Sequence, residues 1–134
     1  MGDFAPSSYD SWGNKSSAMA DEATPAIDLV RLARHCLGDQ DLEQELLEMF
    51  DRQAARIVAQ LTAAALGDPK ASADLAHKLK GSALAVGADR VAQAAGRLEA
   101  LCGDSPGRSA LAAALASLAA TVSEAREAIV KLIA

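Results

Sequence analysis

His77, Lys80 and Gly81 stand at i, i+3 and i+4 in the stretch AHKLKGSALAV, Ala76 to Val86. On a helix that spacing puts all three on one side. An imidazole in such a place can serve as a nucleophile or a general base. An ammonium one turn further on can pair with an anion carried by the ring. A glycine inside a helix costs about 1 kcal/mol relative to alanine, so its presence asks for a reason. At i+4 from His77 it removes the side chain that would crowd the imidazole. A bulky group, or a second protein, could then approach the ring.

A helical wheel separates this trio from the core. At about 100° per residue, Leu75, Leu79, Ser82, Ala83 and Val86 form one apolar stripe. His77 lies almost opposite the centre of that stripe, so its ring is expected to point into water. Gly81 is also off the apolar side, which argues against a role in close helix packing. Leu84 falls on the exposed face, flanked by the small Ala73 and Ala88. With Lys70 and Asp74 these residues are expected to form a modest docking surface around the histidine.

Hairpin geometry suggests a partner for the ring. Residues equidistant from the turn of an antiparallel hairpin lie at similar heights. About a turn at Gly87-Ala88, His77 and Glu99 are equidistant from Ala88. Glu99 falls on the edge of its own helix's apolar stripe and can lean toward the histidine. A carboxylate that accepts from one imidazole nitrogen fixes the tautomer and enriches the other nitrogen in electron density. From spacing alone Glu99 is as readily an ordinary surface glutamate.

An exposed imidazole with a lysine and an open approach suits a nucleophile for phosphoryl transfer. The parts for self-contained catalysis are missing. Gly81 and Gly87 are isolated and make no phosphate-cradling loop. No carboxylate cluster surrounds His77 to hold magnesium, and no serine or cysteine pairs with it. His35, the other histidine, has no ligand partner at i+4 and is expected at the surface or its boundary.

Five helical segments must position these groups. Thr24-Pro25 reads as a cap and first-turn proline for a short helix through Ile27, Val30, Ala33 and Leu37, closed by Gly38. Asp39 to Leu66 carries Leu42, Leu46, Met49, Phe50, Ile57 and Leu61 on one stripe, and Gly67 ends it. Asp68-Pro69 opens the third helix and Gly87 closes it. Asp89 is expected to cap the fourth, with Val91, Ala94, Ala95, Leu98, Leu101 and Cys102 at helical spacing. After Gly103, Ser105-Pro106 opens the last, whose seam is Leu111, Leu115, Leu118, Val122, Ala125, Ile129 and Leu132. Short connections make successive helices antiparallel neighbours. The expected fold is all-α: an antiparallel up-down four-helix bundle over residues 25–134 with a short N-terminal cap helix.

Composition agrees. The 134 residues are 51% hydrophobic but only 3% aromatic, so alanine and leucine supply the apolar surface and favour helices over strands. A net charge of −5 without a basic run excludes nucleic acid and anionic membrane as expected partners. Cys36 and Cys102 make neither a disulfide framework nor a zinc set and read as buried free thiols. No apolar run approaches a membrane span and no signal-peptide pattern opens the chain, so a cytoplasmic location is expected. Residues 1–24 show no helical period and read as a flexible tail.

Taken together, His77-Lys78-Leu79-Lys80-Gly81-Ser82, Val86-Gly87-Ala88 and Leu98-Glu99 resemble the histidine-containing phosphotransfer domain of bacterial two-component phosphorelays. Asp41-Leu42 to Phe50 looks like the family's acidic, leucine-rich second helix. The resemblance covers about residues 27–134. It implies that His77 accepts a phosphoryl group from a receiver-domain aspartyl phosphate and passes it to another response-regulator receiver. Lys80 would steady the phosphoryl oxygens, with Lys78 as a second positive charge. Gly81 would leave room for the aspartyl phosphate, and Glu99 would hold the imidazole. The chain would then be a monomeric carrier rather than an enzyme. It would need no cofactor of its own, because the receiver supplies magnesium and the catalytic aspartates. Its partners would be receivers and a sensor or hybrid histidine kinase. The competing expectation is a bundle that docks on a receiver or kinase as an inhibitor or adaptor without being phosphorylated.

Charge is uneven along the chain. Residues 39–66 hold six acids and two arginines, a net of −4, whereas residues 68–102 hold five bases and four acids, a net of +1. The less acidic half, which contains His77, is expected to face an acidic partner surface.

Overall fold

The computed structural model describes residues 24–64, 67–104 and 107–134. The expected tail lies outside the described residues apart from Thr24. Five helices follow in order: α1 Leu29–His35, α2 Gln40–Ala64, α3 Pro69–Val86, α4 Asp89–Gly103 and α5 Arg108–Ile133. No strand occurs among the described residues. The packing closes a ring, with α2 against α3, α3 against α4, α4 against α5, and α5 back against α2. The α3–α4 contact is the most extensive, while α1 rests on α3 and α2. Arg90–Glu124 at 2.9 Å and Arg126–Asp51 at 2.8 Å span α4–α5 and α5–α2. Partly exposed pairs like these add little beside the core.

Leucines and alanines at steps of three and four build that core. Leu47, Phe50, Ala54, Ile57 and Leu61 are buried on α2, and Leu118, Val122, Ala125 and Ile129 on α5. Between them lie Val91, Ala94, Ala95, Leu98 and Cys102 of α4. Full burial of a leucine such as Leu98 stabilises by roughly 1.5–3 kcal/mol, and alanines let the helices approach closely around it.

Several expected boundaries and faces move. The first helix starts at an Asp28 cap rather than at Thr24-Pro25, with the Asp28 carboxylate accepting from the Arg31 N–H at 3.1 Å. A tertiary anchor explains the shift: the Asp28 N–H donates to the Gly87 carbonyl at 2.8 Å, which holds Asp28 extended. Asp89 is not a cap. Ala88 occupies that position, and the Asp89 carboxylate instead pairs with Arg31 of α1. The last helix is capped at Gly107, and Ser105-Pro106 lie outside the described residues. Leu42, Met49 and Leu132 are exposed, because the buried stripes of α2 and α5 run beside those positions. On α2, Met49 lies about 100° from Phe50.

The cap devices that were read correctly are local ones. Asp68 accepts from the Ala71 N–H at 3.2 Å, with Pro69 in the first turn. Gly87 closes α3 with φ 78°, and Ala88 N–H reaches back to the Ala83 carbonyl at 2.8 Å, the paired hydrogen bonds of a Schellman ending. Cys36 and Cys102 are buried and free. Burial pushes the Cys36 thiol up, with Glu43 and Asp39 adding to it, and burial likewise raises Cys102. Both are therefore held as inert thiols.

Candidate functional site

The buried face of α3 is Ser72, Ala76, Leu79, Ala83 and Val86. That stripe is turned toward Ala76 relative to the sequence reading, and Leu75 and Ser82 are only half-buried. The turn has a consequence for the site. His77 stays well off the core, about 140° from the stripe's centre, whereas Lys80 moves to its edge, about 80° away. The His77 side chain is accordingly 67% exposed. Lys80 lies along the seam between α3 and α4.

The Schellman turn at Gly87 sets the register of that seam. His77 Nδ1 and Glu99 Oε2 meet at 2.9 Å. The other carboxylate oxygen, Oε1, lies 3.6 Å from Lys80 Nζ. One carboxylate thus holds a ring and an ammonium at once. A carboxylate only accepts, so Nδ1 is the donor in this contact, and in the neutral ring the lone pair is then on Nε2. Glu99 thus stands in contact with the ring. The contact is worth something as positioning: Glu99→Ala is expected to slow any reaction at Nε2 by about three- to tenfold. Partner binding should stay unchanged. Rates from rapid-quench assays check this, and an unchanged rate would remove Glu99 from the site.

Gly81 is exposed, and a Cβ built on it would meet nothing within 4 Å. Its missing side chain leaves open space beside the ring rather than a helix–helix contact. Lys78, Lys70 and Asp74 are exposed, Leu84 is 45% exposed and Ala73 is partly buried. Ala88 does not belong to the expected docking surface. It is fully buried, drawn inward because its N–H closes the α3 turn and its carbonyl starts α4.

Other residues near the site escaped the sequence reading. Thr24, Asp89, Ala92 and Gln93 line a groove together with Lys80 and Leu84, which the sequence reading includes. Gly96 lies across the seam from Lys80, with Lys80 Cδ 3.5 Å from where its Cβ would be. The rule that paired His77 with Glu99 could have found it, since Lys80 and Gly96 are also equidistant from Ala88. His35 is exposed as expected, and its Nδ1 lies 2.9 Å from the Ala85 carbonyl, which ties α1 to the end of α3.

The arrangement combines an exposed imidazole, a cation on the same carboxylate and open space at Gly81. Among the described residues no group of His, Cys, Asp or Glu side chains is placed to hold a metal ion. No helix among them is long and apolar enough to cross a membrane.

Comparison with known proteins bears on this geometry. A family profile described as "Hpt domain" matches residues 45–128, more than half of the chain and including every residue of the His77–Lys80–Glu99 group. No curated protein sequence matches. A solved structure from rice, provisionally described as a histidine-containing phosphotransfer protein, superposes with a TM-score of 0.66 at 20% identity. The superposition covers 92% of this chain and 91% of that one, a likeness of fold.

Proposed function

Because the chain belongs to the Hpt domain family, we propose that it is a phosphoryl carrier whose acceptor is Nε2 of His77. The observation that carries this reading is the 2.9 Å contact of His77 Nδ1 with Glu99 on an exposed ring. It engages Nδ1 and leaves the second nitrogen of an exposed ring to attack through its lone pair. In the proposed step the Nε2 lone pair attacks phosphorus of an aspartyl phosphate on a receiver domain. A P–N bond forms, the P–O bond to the aspartate breaks, and the carboxylate leaves with the electron pair. Nδ1 keeps its proton, and Glu99 offsets the positive charge that develops on the ring. Lys80, one turn from His77, reaches the phosphoryl oxygens. The reverse step delivers the group to a second receiver.

The receiver would bring the magnesium and catalytic aspartates, so the chain itself acts as a carrier and not as an enzyme. The ring of packed helices α2 to α5, with α1 laid across α2 and α3, supports an antiparallel up-down four-helix bundle with a short cap helix, residues 25–134. The setting proposed is a cytoplasmic phosphorelay of the bacterial two-component type, with a sensor or hybrid histidine kinase upstream. The docking surface proposed is Lys70, Ala73, Asp74, Lys78 and Leu84 around the ring, without Ala88.

Mixing the chain with an aspartyl-phosphorylated receiver tests the reading. Label on the chain that is acid-labile and alkali-stable supports a phosphohistidine. Complex formation without label would instead favour an inhibitor or adaptor. Gly81→Leu gives a second test with effects of opposite sign. The helix gains roughly 0.8 kcal/mol of propensity, so thermal stability should rise slightly. Transfer should fall about 100-fold, because a bulky group beside Nε2 displaces the incoming phosphorus from its line of attack. A Gly81→Leu chain that transfers at the parent rate would contradict the steric account.

A further inference from the structure

We propose that position 96 is a positioning residue: the absence of any side chain larger than a methyl group there leaves open the trough along which Lys80 reaches Glu99, and so sets where the ammonium meets a phosphoryl group. The inference rests on the phosphocarrier reading of His77 and deepens it. Gly96 stands in the interior of α4, where glycine weakens a helix relative to alanine. The backbone gives no reason for it, since the positive-φ glycines among the described residues are Gly38 and Gly87. Close helix packing gives none either. A Cβ at Gly96 would meet a single neighbour within 4 Å, Cδ of Lys80 at 3.5 Å. The space above Gly96 is therefore occupied by the lysine's own stem.

That stem crosses from α3 to α4 and ends with Nζ 3.6 Å from Glu99 Oε1. Glu99 is one turn beyond Gly96 on the same face of α4, and its Oε2 holds His77 Nδ1. The order Gly96, Lys80, Glu99, His77 is thus a continuous line of contacts. A lysine standing free in water samples many rotamers. Laid in the trough it keeps those that carry the ammonium to Glu99, the carboxylate that also holds the ring. A 3.5 Å approach is ordinary contact, so one added carbon is tolerated and a longer side chain is not. Gly81 and Gly96 thereby serve different ends: the first clears the path of the partner, the second seats the cation.

The test uses the full chain and an aspartyl-phosphorylated receiver domain as donor. Gly96→Ala is expected to transfer within about twofold of the parent and to melt at a higher temperature. Gly96→Leu and Lys80→Ala are each expected to lose about tenfold in rate, and the double variant should be no slower than either single change. A parent-like rate for Gly96→Leu would overturn the proposal. So would a Gly96→Leu defect that adds in full to that of Lys80→Ala, since the leucine would then be obstructing the receiver. A crystal structure of Gly96→Leu reads the same question without transfer. Lys80 Nζ should lie beyond 4 Å from Glu99 while the His77–Glu99 contact persists, and an unmoved Nζ would overturn the trough. If no variant and no parent chain takes label, the carrier reading fails, and the position of Lys80 in that structure still decides the role of Gly96.

Discussion

His77→Gln is expected to take up no phosphoryl group from a phosphorylated receiver, while the parent chain is labelled under the same conditions. Glutamine keeps a polar, uncharged side chain of similar reach but presents no nitrogen lone pair, because the amide nitrogen's pair is delocalised into the carbonyl. The side chain is exposed, so the fold and any docking surface should survive, and the melting temperature should move little. The sharp part of the expectation is completeness. The other histidine, His35, has its Nδ1 against the Ala85 carbonyl and has neither a lysine nor a glycine at the same spacings. It should not substitute. Acid-labile label persisting on His77→Gln would move the acceptor elsewhere and dismantle the site described above. Label absent from the parent as well would leave a docking bundle as the better reading.

Gly87→Val is expected to destabilise the fold by about 4 kcal/mol and to lower its melting temperature by roughly 15 °C. Two costs combine. At φ 78° a side-chain-bearing residue loses about 1–2 kcal/mol, more when β-branched. A Cβ there would also sit 2.7 Å from the Asp28 carbonyl oxygen and 3.0 Å from its backbone nitrogen. Those are backbone atoms, the nitrogen donating to the Gly87 carbonyl and the oxygen accepting from the Leu32 N–H, so they cannot swing aside. Gly87→Ala should show the same direction at about half the size. Denaturant titrations followed by circular dichroism measure both, and a loss under about 1 kcal/mol for the valine variant would mean that the turn relaxes freely. Because the turn sets the register of α3 against α4, the valine variant should also transfer more slowly even where it is folded.

Much of this was legible before any coordinates. Periodicity and Gly/Pro punctuation located the helices, because caps such as Asp68-Pro69 and Gly87 act within a few residues. The reading failed where a distant group decided a local feature. Thr24-Pro25 carries the right residues for a helix start, but Asp28 is recruited by Gly87 across the fold. Asp89 has the right side chain for a cap, yet Arg31 from α1 takes it. Ala88 looked like surface because a small residue beside a turn reads the same whether it faces water or core. At the site, the outward faces of His77 and Gly81 are legible from the wheel, whereas hairpin spacing leaves Glu99 open between a partner of the ring and a surface glutamate. The lateral seating of Lys80 is not legible there, since it depends on a rotation of the α3 stripe set by what α2 and α4 bury.

The single hydrogen bond from Asp28 to Gly87 joins the entrance of the first helix to the hinge of the hairpin that aligns ring and carboxylate. Mechanically it is a stitch. Tension applied upstream would meet buried Ile27 and then this stitch, and a stitch that gives way would slacken the hinge on which the pairing of His77 with Glu99 depends.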